Sequence, residues 1–138
     1  MSSEYEIDLA EPAEHVYRKL YQQAQACIRA GRVSNAKVTL FRMVEDAIDN
    51  IIPHNPASPD RALSGALSNI FRVKKGRIRI CYICSSKQKR IVVLFISEHP
   101  RKAGHRSDPY ATFTRLLHSG EYDKLFEALG VRPRRHFR

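Results

Sequence analysis

No apolar run in this 138-residue chain approaches the ~18 residues that a membrane-spanning helix needs, which excludes such a helix. The segment from Met1 to Glu11 has neither a basic start nor a long apolar stretch, so it does not read as a signal peptide. The cytoplasm is the expected location. Cysteine is scarce as well: Cys27, Cys81 and Cys84 make an odd count with no second pair at zinc-finger spacing. Cys81 and Cys84 do spell Cys-x-x-Cys, but on a strand residues three apart point to opposite faces. They are therefore expected as buried thiols, small core hydrophobes rather than a metal or redox centre. No metal site and no cofactor is expected. Internal repeats and low-complexity tracts are absent too, and the length suits one domain with a real core. Residues 1–131 are read as that domain and 132–138 as a basic tail, which either touches phosphate or is simply solvated.

The most informative scarcity is of negative charge. Between Arg72 and Arg106 only Glu98 offsets Arg72, Lys74, Lys75, Arg77, Arg79, Lys87, Lys89, Arg90, Arg101, Lys102 and Arg106. Up to Asp60, by contrast, acidic residues outnumber basic ones. The whole chain carries a net charge of +10. Clustered Lys and Arg release condensed counterions from phosphates, so a polyanion is the natural partner, against the plainer alternative of a solvated basic surface. The basic strands carry few aromatic residues, which argues against a base-stacking platform.

Hydrophobic periodicity sets out an α+β fold. Tyr5, Ile7 and Leu9 alternate with Glu4, Glu6 and Asp8, the pattern of a half-buried strand. Pro12 suits a first helical turn, and Val16, Leu20, Ala24 and Cys27 recur at helical spacing as far as Gly31. Ser34 is the expected N-cap of a second helix, whose stripe includes Leu40, Val44, Ala47 and Ile51 before Pro53 stops it. Together these make an αα-hairpin, followed by a proline-rich loop from His54 to Pro59. The period then changes to two. Ile70–Lys75, Arg77–Cys84 and Arg90–Ile96 are three candidate strands with short connections, hence an antiparallel meander. The uninterrupted apolar run Ile91–Ile96 marks a central strand covered on both faces. Asp108 is placed to cap a closing helix with Pro109 at its first position, Phe113, Leu116 and Leu117 inward, and a further turn or two over Tyr122–Leu129.

A strand, a helical hairpin, a basic three-stranded meander and a C-terminal helix resemble the RelE/ParE toxins of bacterial toxin-antitoxin modules. The sharper likeness is in residues 70–110. There Ile70-Phe71-Arg72-Val73-Lys74-Lys75-Gly76-Arg77-Ile78-Arg79-Ile80-Cys81-Tyr82 resembles the family's aromatic-Arg-basic strand, glycine turn and Arg-Ile-x-Tyr. Gly104-His105-Arg106-Ser107-Asp108-Pro109-Tyr110 resembles its closing segment. The turn is one residue longer than the usual spacing, so either Arg77 or Arg79 fits the family's positioned arginine, and Arg79 is preferred because Ile80 and Tyr82 follow it. The connection Glu98–Ala103 is also longer and adds a competing His99 and Arg101.

What the resemblance implies is a toxin that cleaves messenger RNA without a metal and so arrests translation and growth; toxins of this branch generally act in the ribosomal A site, whereas some cut free RNA, and the sequence leaves both open. In that chemistry the ribose 2′-hydroxyl attacks its own 3′-phosphate, which needs a base, an acid and cations around the pentacoordinate phosphorus. Lys74 or His105 is the implied base, Arg79 and Arg106 the phosphorane stabilisers, and Tyr110 a group that orients the phosphate or stacks on a base. Arg72, Lys75, Arg77, Arg101 and Lys102 are the implied RNA-binding cations, while Tyr82 is expected in the core. The resemblance further implies a cognate acidic antitoxin that covers the basic face, an encounter that opposite charge accelerates. Two other readings remain open: a ParE-like inhibitor that binds DNA gyrase without chemistry, and a nucleic-acid-binding module that does not cleave.

Overall fold

A computed structural model describes residues 4–63, 69–98 and 109–131. The alternating N-terminal segment forms β1 (Glu6–Leu9), and its inward residues Ile7 and Leu9 pack beneath α1 (Glu11–Arg29). Pro12 sits in the first turn of that helix, where its missing N–H is not needed. Gly31, with φ of 80°, ends the hairpin's first arm. The second arm, α2 (Ala36–Asp46), is capped by Asn35, whose side-chain oxygen accepts the Lys37 N–H at 2.8 Å. This corrects the expected Ser34 cap by one residue; both are good caps, and the one whose oxygen reaches the orphan N–H takes the role. Beyond Asp46 the helix widens into a π-turn, Ala47–Ile51, closed by Ile52 N–H to the Ala47 carbonyl at 2.8 Å.

The meander consists of β2 (Phe71–Lys75), β3 (Ile78–Ser85) and β4 (Arg90–Glu98). Gly76 begins the two-residue loop between β2 and β3 at φ of 57°, a conformation that L side chains resist. A Cβ there would also collide with the Met43 side chain. Sheet order is β1-β4-β3-β2, with β2–β3 and β3–β4 antiparallel and β1 parallel to β4. Strand β4 is thus central, and its residues from Ile91 to Ser97 are all buried.

Two apolar clusters sandwich the sheet. On one face Ala13, Val44, Ile48 and Ile52 of the hairpin meet Val73, Ile78, Ile80, Tyr82, Ile91, Val93 and Ile96. On the other, α3 (Pro109–His118) and α4 (Asp123–Leu129) bring Phe113, Leu117, Tyr122, Phe126 and Leu129 onto Cys81, Ile83, Val92, Leu94 and Phe95. Each fully buried side chain of this size stabilises the fold by about 1.5–3 kcal/mol. A bulge sets the alternation on β4. Cys81 pairs with Phe95 but Tyr82 pairs with Val93, so Leu94 is the extra residue and joins Phe95 on the α3/α4 face. The Leu94 carbonyl accepts the buried Tyr122 hydroxyl at 2.8 Å. Cys81 lies in that cluster while Cys84 packs against the other, so the two thiols face opposite ways.

Candidate nucleic-acid interface

The β2–β3 register decides which cations meet. Lys74 stands directly opposite Arg79, and Arg72 opposite Cys81. Because Cys81 belongs to the α3/α4 face, strand alternation puts Arg72, Lys74 and Arg79 on that face too. Directly opposed residues hold their Cβ atoms about 5 Å apart, and like charges so placed are destabilising. Lys74 is exposed and has no ion-pair partner among the described residues. Arg79 is half-buried. Its guanidinium turns back over the hairpin loop, Nη1 donating to the Gly76 carbonyl at 2.7 Å and the Ile78 carbonyl at 3.0 Å. These neutral acceptors place the charge without cancelling it. Burial pushes the Cys81 thiol up to about 12, and Arg72 offsets that only partly. Cys81 is therefore an inert neutral floor beneath the cations.

The neighbouring cations are arranged differently. Lys75 is on the hairpin face, with Nζ 3.2 Å from Asp46 Oδ2. Hydrogen bonds from Asn50 and then Lys75 hold the Asp46 carboxyl below its ordinary value. Arg77 pairs with Glu98 at 2.9 Å. At the far edge Lys89 pairs with Glu4 at 3.1 Å and Arg90 with Asp8 at 3.0 Å. Among the described residues of the basic stretch, then, four cations are matched to carboxylates, and the Lys74–Arg79 pair is not.

Arg101, Lys102, His105 and Arg106 lie outside the described residues. Tyr110 is the second residue of α3, and its side chain is outside the description. The described residues on either side of the 99–108 segment are tied to the sheet. Ser97 pairs with Arg79 across β3–β4, and Phe95, two residues earlier, stacks on Phe113 with ring centroids 5.3 Å apart. Ser97 is a residue that the sequence reading did not flag. It is 8% exposed, and its hydroxyl has no hydrogen-bond partner among the described residues; the register with Arg79 distinguishes it from an ordinary strand serine.

Tyr82 is a core residue, as expected. It is fully buried, stacked on Phe71 at 5.6 Å, and its hydroxyl donates to the Pro56 carbonyl at 2.6 Å. Burial raises its pKa, with Arg61 opposing the shift. Among the described residues no group of three His, Cys, Asp or Glu side chains gathers. No described helix is long and apolar enough to cross a membrane.

A family profile described as a toxin with endonuclease activity, of a toxin-antitoxin system, matches residues 9–132. The chain belongs to this family of YhaV toxins. Its activity is therefore that of an endonuclease toxin, which decides against the gyrase-binding and non-cleaving readings. Among solved structures, the toxin is similar to a chain of the toxin-antitoxin complex RelBE2 from Mycobacterium tuberculosis, with 15% identity, a TM-score of 0.52, and coverage of 72% of this chain and 94% of that one. It is also similar to a mutant of the E. coli toxin RelE in the free state, at 17% identity and a TM-score of 0.45, covering 85% of this chain and 100% of the other. The isolated E. coli RelE toxin gives 17% identity and a TM-score of 0.43, with 80% and 96% covered. No curated protein matches. The RelE-like fold read from element order and the meander is borne out by the sheet and helices described above.

Proposed function

We propose that the toxin cleaves RNA, preferably messenger in the ribosomal A site, at the cationic end of the β2–β3 hairpin. The observation that carries this reading is the like-charged pair Lys74–Arg79, directly opposed on one sheet face with no carboxylate against Lys74 among the described residues. Such a pair costs stability in the free protein, and a bound polyanion repays that cost. Lys74 or His105 takes the proton of the ribose 2′-hydroxyl as its oxygen bonds to the adjacent phosphorus. Arg79 and Arg106 stabilise the phosphorane charge. The bond from phosphorus to the 5′-oxygen breaks, an acid from the same residue set protonates that oxygen, and a cyclic phosphate and a 5′-hydroxyl result. Tyr110 orients the phosphate or stacks on a base. Arg72, Lys75, Arg77, Arg101 and Lys102 track the backbone, Lys75 and Arg77 by exchanging their carboxylate partners for phosphates. No cofactor enters these steps.

Residues 1–131 act as one unit in the cytoplasm on this reading, with 132–138 as a basic tail. A cognate antitoxin with an acidic segment covers the cationic face, consistent with the net charge of +10 and with the M. tuberculosis neighbour being a toxin-antitoxin complex. The test is primer extension on a translated messenger after brief induction, beside Arg79→Ala and Arg106→Ala, with and without ribosomes in a purified system. Cuts that need ribosomes and vanish in both variants are expected. Cuts on free RNA would remove the ribosome from the reading, and growth arrest with no cut in any RNA would overturn it.

A further inference from the structure

A cleft of about 270 Å³ opens at the outer edge of β2, where the Pro59–Arg61 turn faces the strand. Asp60, Arg61, Arg72 and Lys74 supply its charges, and Ile51 and Val73 its apolar wall. Nothing in the sequence singled out Arg61, which sits in an irregular loop. Its position is nevertheless closely specified. Nη1 donates to the Tyr82 hydroxyl at 3.2 Å and the Ile52 carbonyl at 3.5 Å, and Nη2 to the His54 carbonyl at 3.0 Å. All three acceptors are neutral. A guanidinium has five N–H donors, so these bonds fix the group while its charge stays uncompensated, and it has no ion pair among the described residues. The loop itself is pinned to the strand by the Ala62–Phe71 bridge and by Leu63 N–H to the Ile70 carbonyl at 2.9 Å.

The charges run in sequence across the edge. Arg61 and Arg72 lead from the cleft to Lys74, which is shared with the candidate reaction centre and opposes Arg79 there. Residues two apart on a strand are about 6.6 Å apart, so a flexible backbone that contacts Lys74 with one phosphate brings its neighbour to Arg72 and Arg61. The cleft is just below the ~300 Å³ at which drug-sized sites begin, a size that suits one nucleotide unit and not a folded partner. Asp60, exposed at the rim, accepts hydrogen bonds only; in such a subsite its partner is a base amino group and not a phosphate.

We propose that this cleft is a flanking-nucleotide subsite, in which Arg61 binds the phosphodiester next to the one cleaved and Asp60 meets the amino group of that nucleotide's base. The inference rests on the RNA-cleaving reading above. Its test is the binding of the purified toxin to a short RNA made uncleavable by 2′-O-methyl groups, followed by fluorescence anisotropy across a salt series. Ala62→Glu places a carboxylate in the cleft without touching the bonds that hold Arg61, and Arg61→Gln removes the charge. Both are expected to weaken binding about tenfold or more at low salt and to flatten the slope of log affinity against log salt by ~0.7, the value for one phosphate on a single strand. Asp60→Asn is expected to change preference among RNAs that differ only at the flanking base, leaving the slope unaltered. Because Arg61→Gln also loosens the loop, Ala62→Glu decides. Unchanged affinity and slope in Ala62→Glu, while Lys74→Ala still weakens binding, would overturn the subsite and leave the RNA-cleaving reading standing. Wild-type binding in Ala62→Glu and Lys74→Ala alike would overturn both.

Discussion

The two edges of the sheet draw their cations from one short stretch of chain and use them in opposite ways. At the β1–β4 edge, Lys89 and Arg90 meet Glu4 and Asp8, and Lys89 also lies over the Tyr5 ring at 5.3 Å. At the β2–β3 hairpin, Lys74 faces Arg79 and neither has a carboxylate partner among the described residues. The contrast teaches that local density of positive charge does not mark a site. What decides is whether the topology delivers an acidic element to it. The acidic N-terminal strand lies parallel beside β4 and neutralises one edge, Asp46 and Glu98 neutralise Lys75 and Arg77, and the Lys74–Arg79 pair is passed over.

The largest expected effect breaks the comparison at its cationic end. Arg79→Ala and Lys74→Ala are each expected to lower single-turnover cleavage by about 10²–10³, the usual cost of losing one transition-state charge or proton-transfer group. Stability should move the other way for Lys74→Ala. Removing one of two opposed like charges relieves about 0.2–1 kcal/mol, so its denaturant midpoint should match or exceed that of the wild type. A loss of activity together with a rise in stability is the signature of a group kept for function. A Lys74→Ala variant that cuts normally and unfolds more easily would make this pair structural and abolish the distinction between the edges.

Much of this was legible in the residues. Period-two and period-3.6 patterns depend on local burial, so the hairpin, the meander, the two C-terminal helices and the central position of β4 follow from them. Strand alternation also foretold that Arg72 and Lys74 share a face and that Cys81 and Cys84 part company; Arg77, expected to open the next strand, instead lies in the two-residue loop before it, because the tight turn at Gly76 takes both residues between Lys75 and Ile78. Long-range choices were not legible. The parallel pairing of β1 with β4, the bulge at Leu94 and the ion pairs of Lys75, Arg77, Lys89 and Arg90 depend on partners far along the chain, up to 85 residues (89 − 4) for Glu4 and Lys89. Arg61 and Ser97 escaped for the same reason, since each owes its setting to another strand or loop and neither lies in a motif.

Next in size is the mooring behind the hairpin. The Tyr82 hydroxyl joins β3 to the loop at Pro56 and receives Arg61. Tyr82→Phe leaves the Pro56 carbonyl without its donor and is expected to cost about 1–3 kcal/mol of unfolding free energy, with a smaller loss of RNA affinity through Arg61. An unchanged denaturant midpoint would mean that the loop is not held from the core. Alkali tests the cationic face from beneath. The Cys81 thiol is raised from 9.0 to about 12 by burial. Below pH 9 both folded and unfolded chains keep the proton; above it only the unfolded chain releases it, so stability should fall as pH rises from about 9 towards 12. Arg72 opposes the shift, and Arg72→Ala should therefore carry this fall to higher pH, with the slope still fixed by one proton. A fall that ends at the same pH in both proteins would remove Arg72 from its place over Cys81.

The smallest effect belongs to the neutralised edge and is the sharpest control on the whole contrast. Arg90 and Asp8 are 35% and 57% exposed at their side chains, so water screens the pair, and exposed ion pairs contribute about 0–1 kcal/mol. Arg90→Ala removes one positive charge, as Lys74→Ala does, from the same sheet and the same basic stretch. If net charge alone drove RNA binding, the two variants would weaken it equally. If the arrangement on the β2–β3 hairpin matters, Arg90→Ala should cleave within about twofold of wild type and keep its salt slope, because a cation already matched to a carboxylate releases few counterions from phosphate. Equal losses in Arg90→Ala and Lys74→Ala, measured side by side at one salt concentration, would show that the toxin reads its substrate through bulk charge and not through the register of two strands.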